Sequence, residues 1–284
     1  MLNKLFLTGI VLTFFHACAQ AKETITWRIV DWPPFYILQG PDKGQGIYDS
    51  LLDQIILQMP SYHHKKVVMN TQRLRREFTK KTKVCSPSAL SNTPALLSNT
   101  NSFLLPHQLI YHQDDFPSLK YQPSVSLVSI LKASDTRIGV ATQRYPGVIN
   151  DILAVHLSDN RVVWQNNYNS LIRMFFRRRF DMLIEYPPVI NYAKHMLRLS
   201  SNYSTISLDE LSSSNYLPVH FACSDNDWGK QVTHRINQLL SQEAKQPNYL
   251  APRLRWYEGE EKIRLKQYYH AHYLDDKKTP FVSR

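Results

Sequence analysis

The chain has 284 residues, 43% hydrophobic and 20% charged, enough apolar material for one large domain or two modest lobes and too ordered a composition for a disordered chain. Its net charge of +11 and pI near 9.5 invite a nucleic-acid reading. That reading is set aside: the basic residues are scattered, and the densest runs, Arg73-Leu74-Arg75-Arg76 and Arg177-Arg178-Arg179, belong to no nucleic-acid module. The charge fits anionic surfaces or anionic ligands better.

Residues 1–21 read as a cleavable secretory signal. Lys4 supplies the positive start, Leu5 to Phe15 the apolar run, and Ala19-Gln20-Ala21 the cleavage site. The run is too short to span a bilayer, and Phe15-His16-Ala17 before Cys18 is a poor lipid-attachment box. The expected product is a periplasmic protein starting at Lys22, its net charge lowered from +11 to +10 by the loss of Lys4. Two of the three cysteines, Cys85 and Cys223, survive cleavage. In an oxidising compartment they can form a disulfide or stand as two buried thiols.

The mature chain opens with a strand in which Ile25, Trp27 and Ile29 alternate with Thr24, Thr26 and Arg28. Trp32-Pro33-Pro34-Phe35-Tyr36 breaks the pattern, because proline lacks a donor and fixes φ. Tyr48, Leu51, Leu52, Ile55, Ile56 and Met59 then form one helical stripe. Large aromatics between a strand end and a helix start can wall a ligand cleft or pack onto the core.

A strand over Lys65–Met69, a helix from Thr71 to Phe78 and a strand at Lys83–Cys85 continue an α/β rhythm. Ser86–Asn101, rich in Ser, Asn, Thr and Pro, reads as loop. The passage between lobes is placed after it, around Leu104–Pro123. A second α/β rhythm follows, with strands at Arg137–Ala141, Arg161–Trp164 and Phe180–Ile184. Its helices open at Gly147, Ser170 and Val189, with Arg177–Arg179 in the last turn of the second. Asn202–Asn215 reads as a Ser-rich loop, and Leu217–Cys223 as a return strand before a helix near Gly229. The aromatic tail, Tyr249–Tyr273, is expected to dock on the first lobe.

Catalytic signatures are missing: there is no G-x-S-x-G elbow, no H-E-x-x-H, no P-loop and no dinucleotide fingerprint. His63-His64 with His107 and His112 fits no standard metal spacing.

The sequence resembles the periplasmic solute-binding proteins of the polar amino-acid (family 3) type. The resemblance is carried by the exported N-terminus, Trp32-Pro33-Pro34-Phe35, Gly46-Ile47-Tyr48-Asp49-Ser50-Leu51, Ile138-Gly139-Val140-Ala141-Thr142-Gln143-Arg144, Phe180-Asp181-Met182-Leu183-Ile184 with Glu185, and Trp228-Gly229-Lys230. It covers nearly the whole mature chain, and VCSPS near Cys85 and FACS at Cys223 fit a stand-alone branch. It implies the α/β type II periplasmic-binding fold, two lobes joined by a hinge with a cleft between them. Lobe one would comprise residues 22–105 and 219–284, and lobe two residues 106–218. Cys85 and Cys223 would both lie near the crossing segments, which favours the disulfide.

The resemblance also implies a monomer that binds a small polar ligand without metal, cofactor or nucleic acid and meets an inner-membrane permease or membrane sensor. The alternative is an enzyme on the same fold, such as a cyclohexadienyl-type dehydratase using Glu185. Binders of this family carry a Thr-x-x-Arg element whose arginine pairs with the ligand carboxylate. Here the run is Thr93-Pro94-Ala95-Leu96, so amino-acid specificity does not carry over on that residue. The candidate ligand-binding residues are Trp32, Phe35 and Tyr36, Arg73 as a replacement anion partner, Thr142 and Arg144 at a helix start, and Glu185 or Tyr186 at a strand end. Asp49 reads as a helix-start residue.

Overall fold

The computed structural model describes residues 22–273 except 134, 143–144, 146, 167, 200–201, 212–215 and 245. Residues 1–21, expected to be a secretory signal, and Arg144 lie outside the described residues. Two sheets organise the chain. Strands β1 (Thr24–Ile29), β2 (His63–Val68), β3 (Val84–Leu90) and β4 (Leu96–Leu104) belong to the first. Strands β5 (Gln108–His112), β6 (Ser124–Val125), β7 (Ile138–Ala141), β8 (Val162–Gln165), β9 (Met182–Glu185) and β10 (Tyr203–Leu208) form the second. Strand β11 (Leu217–Cys223) returns to the first. The orders are β2-β1-β3-β11-β4 and β6-β10-β5-β9-β7-β8. Strand β1 is parallel to β2 and β3, and β11 is antiparallel to β3 and β4. The fold is therefore two-lobed α/β, as the sequence leads one to expect.

Helix α1 (Ile47–Leu57) buries Ile47, Tyr48, Leu51, Leu52 and Ile55 on one face. Burial of such side chains stabilises by about 1.5–3 kcal/mol each. Asp49 is also buried; its Oδ2 accepts from Gly46 N (3.3 Å) and Ile37 N (2.7 Å), stitching the loop onto the helix start. A Cβ on Gly46 would stand 2.6 Å from the Phe35 carbonyl oxygen, so this close approach requires glycine. Helix α2 (Thr71–Thr79) is capped by Asn70, whose side chain accepts from Arg73 N. It covers a small core of Met69, Leu74, Phe78, Val84, Ala89 and Ala222.

In the second lobe, α3 (Leu127–Ala133), α4 (Gly147–Ala154), α5 (Tyr168–Phe176) and α6 (Pro187–Leu197) accompany the six-stranded sheet. Pro187 and Pro188 occupy the first turn of α6, where their missing N–H groups cost nothing. Helix α5 stops at Phe176, so Arg177–Arg179 follow the helix rather than ending it, and Arg178 pairs with Asp115.

Two stretches expected to be loops hold strands. Ser86–Asn101 holds most of β3 and the start of β4, and Asn202–Asn215 holds β10. The polar groups that suggested loop are hydrogen-bonded inside the sheet: Asn101 Nδ2 donates to the Pro87 carbonyl (2.9 Å), and Phe221 N donates to Ser98 Oγ (3.0 Å).

A disulfide joins Cys85 to Cys223, which face each other across β3 and β11 and are fully buried. Helix α7 (Asp227–Glu243) leads to α8 (Pro247–Leu254) and α9 (Gly259–Tyr273). This tail docks on both lobes, not on the first alone. Tyr249 Oη and Arg253 Nε donate to the Asn101 carbonyl (2.6 and 3.1 Å), and Tyr269 Oη accepts from Phe103 N (3.2 Å). On the other side, Asn191 Nδ2 donates to the Trp256 carbonyl (3.0 Å) and Thr205 Oγ1 to Glu261 Oε1 (3.0 Å). The aromatics of the tail reach both lobes because Trp256 stacks edge-on with Tyr192 at 4.7 Å while Phe103 lies against Tyr269 at 5.3 Å.

Candidate functional site

Strand β1 lies between β2 and β3, so the sheet order turns back on itself there. Ligand crevices form at the carboxyl ends of strands at such a point. The chain leaves β1 into Trp32–Tyr36, which folds on itself: Phe35 N and Tyr36 N both donate to the Trp32 carbonyl (2.9 and 3.0 Å). The Pro33–Pro34 peptide is cis.

From this loop a run of rings crosses to the second lobe. Trp32 stands 4.2 Å from Phe35 and 5.9 Å from Tyr186. Phe35 packs on Tyr48 (5.7 Å) and Tyr186 (5.8 Å). Tyr186 overlies His107 at 3.8 Å, and His107 meets Tyr145 at 5.1 Å. Tyr145 Oη is pinned by accepting from Ala141 N (2.7 Å) and donating to the Ile184 carbonyl (3.1 Å).

Beside these rings lies a cleft of about 800 Å³ with walls from both lobes. Arg28, Trp32, Arg75 and Ser88 line it from the first, Tyr145 and Tyr186 from the second, and His107 from the crossing segment between them. Arg28 is 8% exposed. Its Nε donates to the Met69 carbonyl (3.2 Å), and its Nη1 reaches Ser88 Oγ (3.5 Å). Ser88 Oγ also shares a 2.6 Å hydrogen bond with Tyr36 Oη. Burial pushes the Tyr36 phenol well above its ordinary range, so it stays neutral.

The residues singled out from sequence are distributed unevenly. Trp32 and Tyr186 line the cleft. Phe35 and Tyr36 are buried behind the wall, where Phe35 backs Trp32 and Tyr36 holds Ser88. Glu185 is fully buried, with Oε1 accepting from Tyr186 N (2.8 Å). Thr142 is exposed, and its N donates to the Gln165 carbonyl (3.1 Å). Arg73 lies on a separate depression of about 430 Å³ with Lys65 and Glu77, while Arg75, two positions along α2, lines the cleft. Thr93 and Pro94 border the cleft, whereas Leu96 starts β4 opposite Cys223.

Sequence reading missed Arg28, Arg75, Ser88, His107 and Tyr145. Arg28 fell on the strand face assigned to solvent by alternation. The signal that finds it is its place at the carboxyl end of the strand where the sheet order reverses. Burial raises the Asp49 carboxyl above the ordinary range, partly offset by its two backbone donors.

No family model matches the sequence, and no curated protein matches it. Solved structures do match in shape. A histidine kinase sensor domain with similarity to periplasmic binding proteins aligns at a TM-score of 0.59 and 13% identity, over 83% of this chain and 96% of that one. An ancestral cationic amino-acid solute-binding protein aligns at 0.61 and 14%, again over 83% and 96%. A substrate-binding protein of an uptake transporter from Streptococcus pneumoniae, with bound histidine, aligns at 0.58 and 14%, over 82% and 92%. Identities this low speak to the backbone arrangement, and they agree with the sheet order and the cleft: this chain has the two-lobed fold of the periplasmic binding proteins.

Proposed function

We propose that the protein captures a small polar solute between its lobes and presents the closed form to a membrane partner, a permease or a receptor, on the periplasmic side of the inner membrane. The observation that carries this reading is the cleft of about 800 Å³ whose walls come from both lobes, with a buried guanidinium on one side and aromatic rings spanning to the other. Its size suits a small molecule, and walls on separate lobes let a ligand bias a hinge. Binding is favoured over turnover because Glu185, the carboxylate that an enzyme on this fold would use, is fully buried and accepts a backbone N–H of its own neighbour.

A thermal-shift screen of the mature protein against amino acids, peptides, polyamines and organic acids tests this. A ligand at a hundred times its Kd adds about 2.7 kcal/mol, a readily measured rise in Tm. Failure of every class to stabilise the protein overturns the reading, and turnover lost in Glu185→Gln moves it to the enzyme. The N-terminal mass of the exported protein tests cleavage after Ala21, and its sedimentation tests the monomer.

A further inference from the structure

The cleft has an uneven charge inventory. Arg28 is more than nine-tenths buried and lines it. The partners of its guanidinium are oxygens of neutral groups: the Met69 carbonyl, Ser88 Oγ and the Tyr36 phenol nearby. Among the described residues no carboxylate lies within ion-pair distance of it. A guanidinium has five donors in a planar fork and stays charged at any working pH. Holding one out of water without a counter-ion is costly, and a ligand anion removes that cost.

The second half of the inventory is what the walls do not offer. Arg75 and His107 line the cleft as well, and no Asp or Glu does among the described residues. Glu185 and Asp49, next in sequence to the lining residues Tyr186 and Tyr48, are turned to other work. Glu185 accepts from Tyr186 N, and Asp49 accepts from Ile37 N and Gly46 N behind the aromatic loop. In sequence, the residues next to Tyr145 include Gln143, Arg144 and Pro146, none of them acidic. An α-amino acid entering here would find a partner for its carboxylate and none of opposite charge for its ammonium. Trp32, Tyr48, Tyr186 and Leu104 instead give the cleft apolar and aromatic surface beside the neutral polar side chains of Thr71, Ser91, Asn92 and Thr93.

We infer that the ligand is a small carboxylate with an apolar or aromatic body and no ammonium group, its carboxylate paired with Arg28 and its body against Trp32 and Tyr186. This rests on the cleft being the solute site proposed above. Ser88, held by Tyr36, fixes the guanidinium from the side, so the fork is set before the ligand arrives.

The test is isothermal titration of the wild-type protein with matched compounds: 3-phenylpropionate, phenylalanine, 3-phenylpropionamide and 2-phenylethylamine, with 4-methylpentanoate and leucine as the aliphatic pair. In at least one series the free acid should bind at least about tenfold tighter than its amino-acid, amide or amine counterpart, since a charge-assisted pair is at stake. Arg28→Gln should reduce acid binding by at least about tenfold. Arg28 is buried, so if the Tm of the variant collapses, the wild-type comparison decides alone. Equal or tighter binding of the amino acids or the amine overturns the inference while leaving the cleft as a solute site. No binding by these compounds, together with no stabilisation in the broad screen, overturns the solute-site reading and the inference with it.

Discussion

The two lobes meet in different ways at two places in the molecule. On the cleft side the meeting is ring against ring, with Trp32 and Phe35 on Tyr186. Elsewhere α8 and α9 bind both lobes through directed hydrogen bonds, from Asn101 and Phe103 in one to Asn191 and Thr205 in the other. These rings meet tilted and edge-on, and the apolar burial that holds them together is non-directional. Hydrogen bonds weaken steeply as angles open. The contrast is between a contact of apolar rings at the cleft and a contact of directed hydrogen bonds at the tail.

The largest expected effect comes from breaking the tail's hold. Tyr269 is 3% exposed and lies against Phe103. Tyr269→Ala should cost about 3–5 kcal/mol, as for other buried aromatics, seen as a lower urea midpoint. A cost under about 1 kcal/mol would show that the tail does not hold the lobes. Next comes the disulfide, which closes a separation of 138 residues. Reduction, or Cys85→Ala with Cys223→Ala, should cost about 2–4 kcal/mol, through the freedom regained by the unfolded chain.

Glu261 gives a pH handle on the same tail. It accepts from Thr205 Oγ1, with Arg264 as the nearby cation and Tyr203, Tyr216, Tyr257 and Glu258 as the other titratable groups around it. Burial raises its carboxyl to about 7. A raised folded-state value means that the native state holds the proton more tightly than the unfolded chain. The stability this contributes is fully present below about 4.5 and lost as pH rises through about 7. Glu261→Gln should remove a decline of about 1–3 kcal/mol over that interval. The measurement is urea unfolding of both proteins at pH 5 and pH 8; parallel curves would refute it. The smallest stability effect belongs to the cleft side. Trp32 is only partly buried, so Trp32→Leu should cost about 1 kcal/mol or less while weakening ligand binding, which separates the two sides by titration against unfolding.

The sequence made much of this legible where a period repeated. The stripe from Tyr48 to Ile56 lies on α1, which ends at Leu57 before Met59, and the strand expected at Arg137–Ala141 is found at Ile138–Ala141. It was least legible where polar residues are structural. Ser98 and Asn101 look like loop residues, yet both are buried and tie backbone groups within the sheet. The aromatic loop was visible, but composition does not distinguish a ring that lines a cleft, Trp32, from one that backs it, Phe35. Arg28 was hidden for a different reason. Alternation assigns sides of a strand, whereas this residue matters for being near the strand's end, where the solvent side becomes the cleft wall.

The position of β11 has a consequence for the order in which the molecule can be completed. The six-stranded sheet uses only residues 108–208, so all its strands exist once Leu208 has been synthesised. The first sheet cannot close then. Its β3 and β4 were made long before, but each pairs with β11, which stands between them. Until Cys223 emerges, both strands carry an edge awaiting the same partner, and Cys85 lacks the thiol it pairs with. The lobe begun first is therefore the lobe finished last. The interval of synthesis between Leu104 and Leu217 is when this chain is most exposed to pairing with a strand that is not its own.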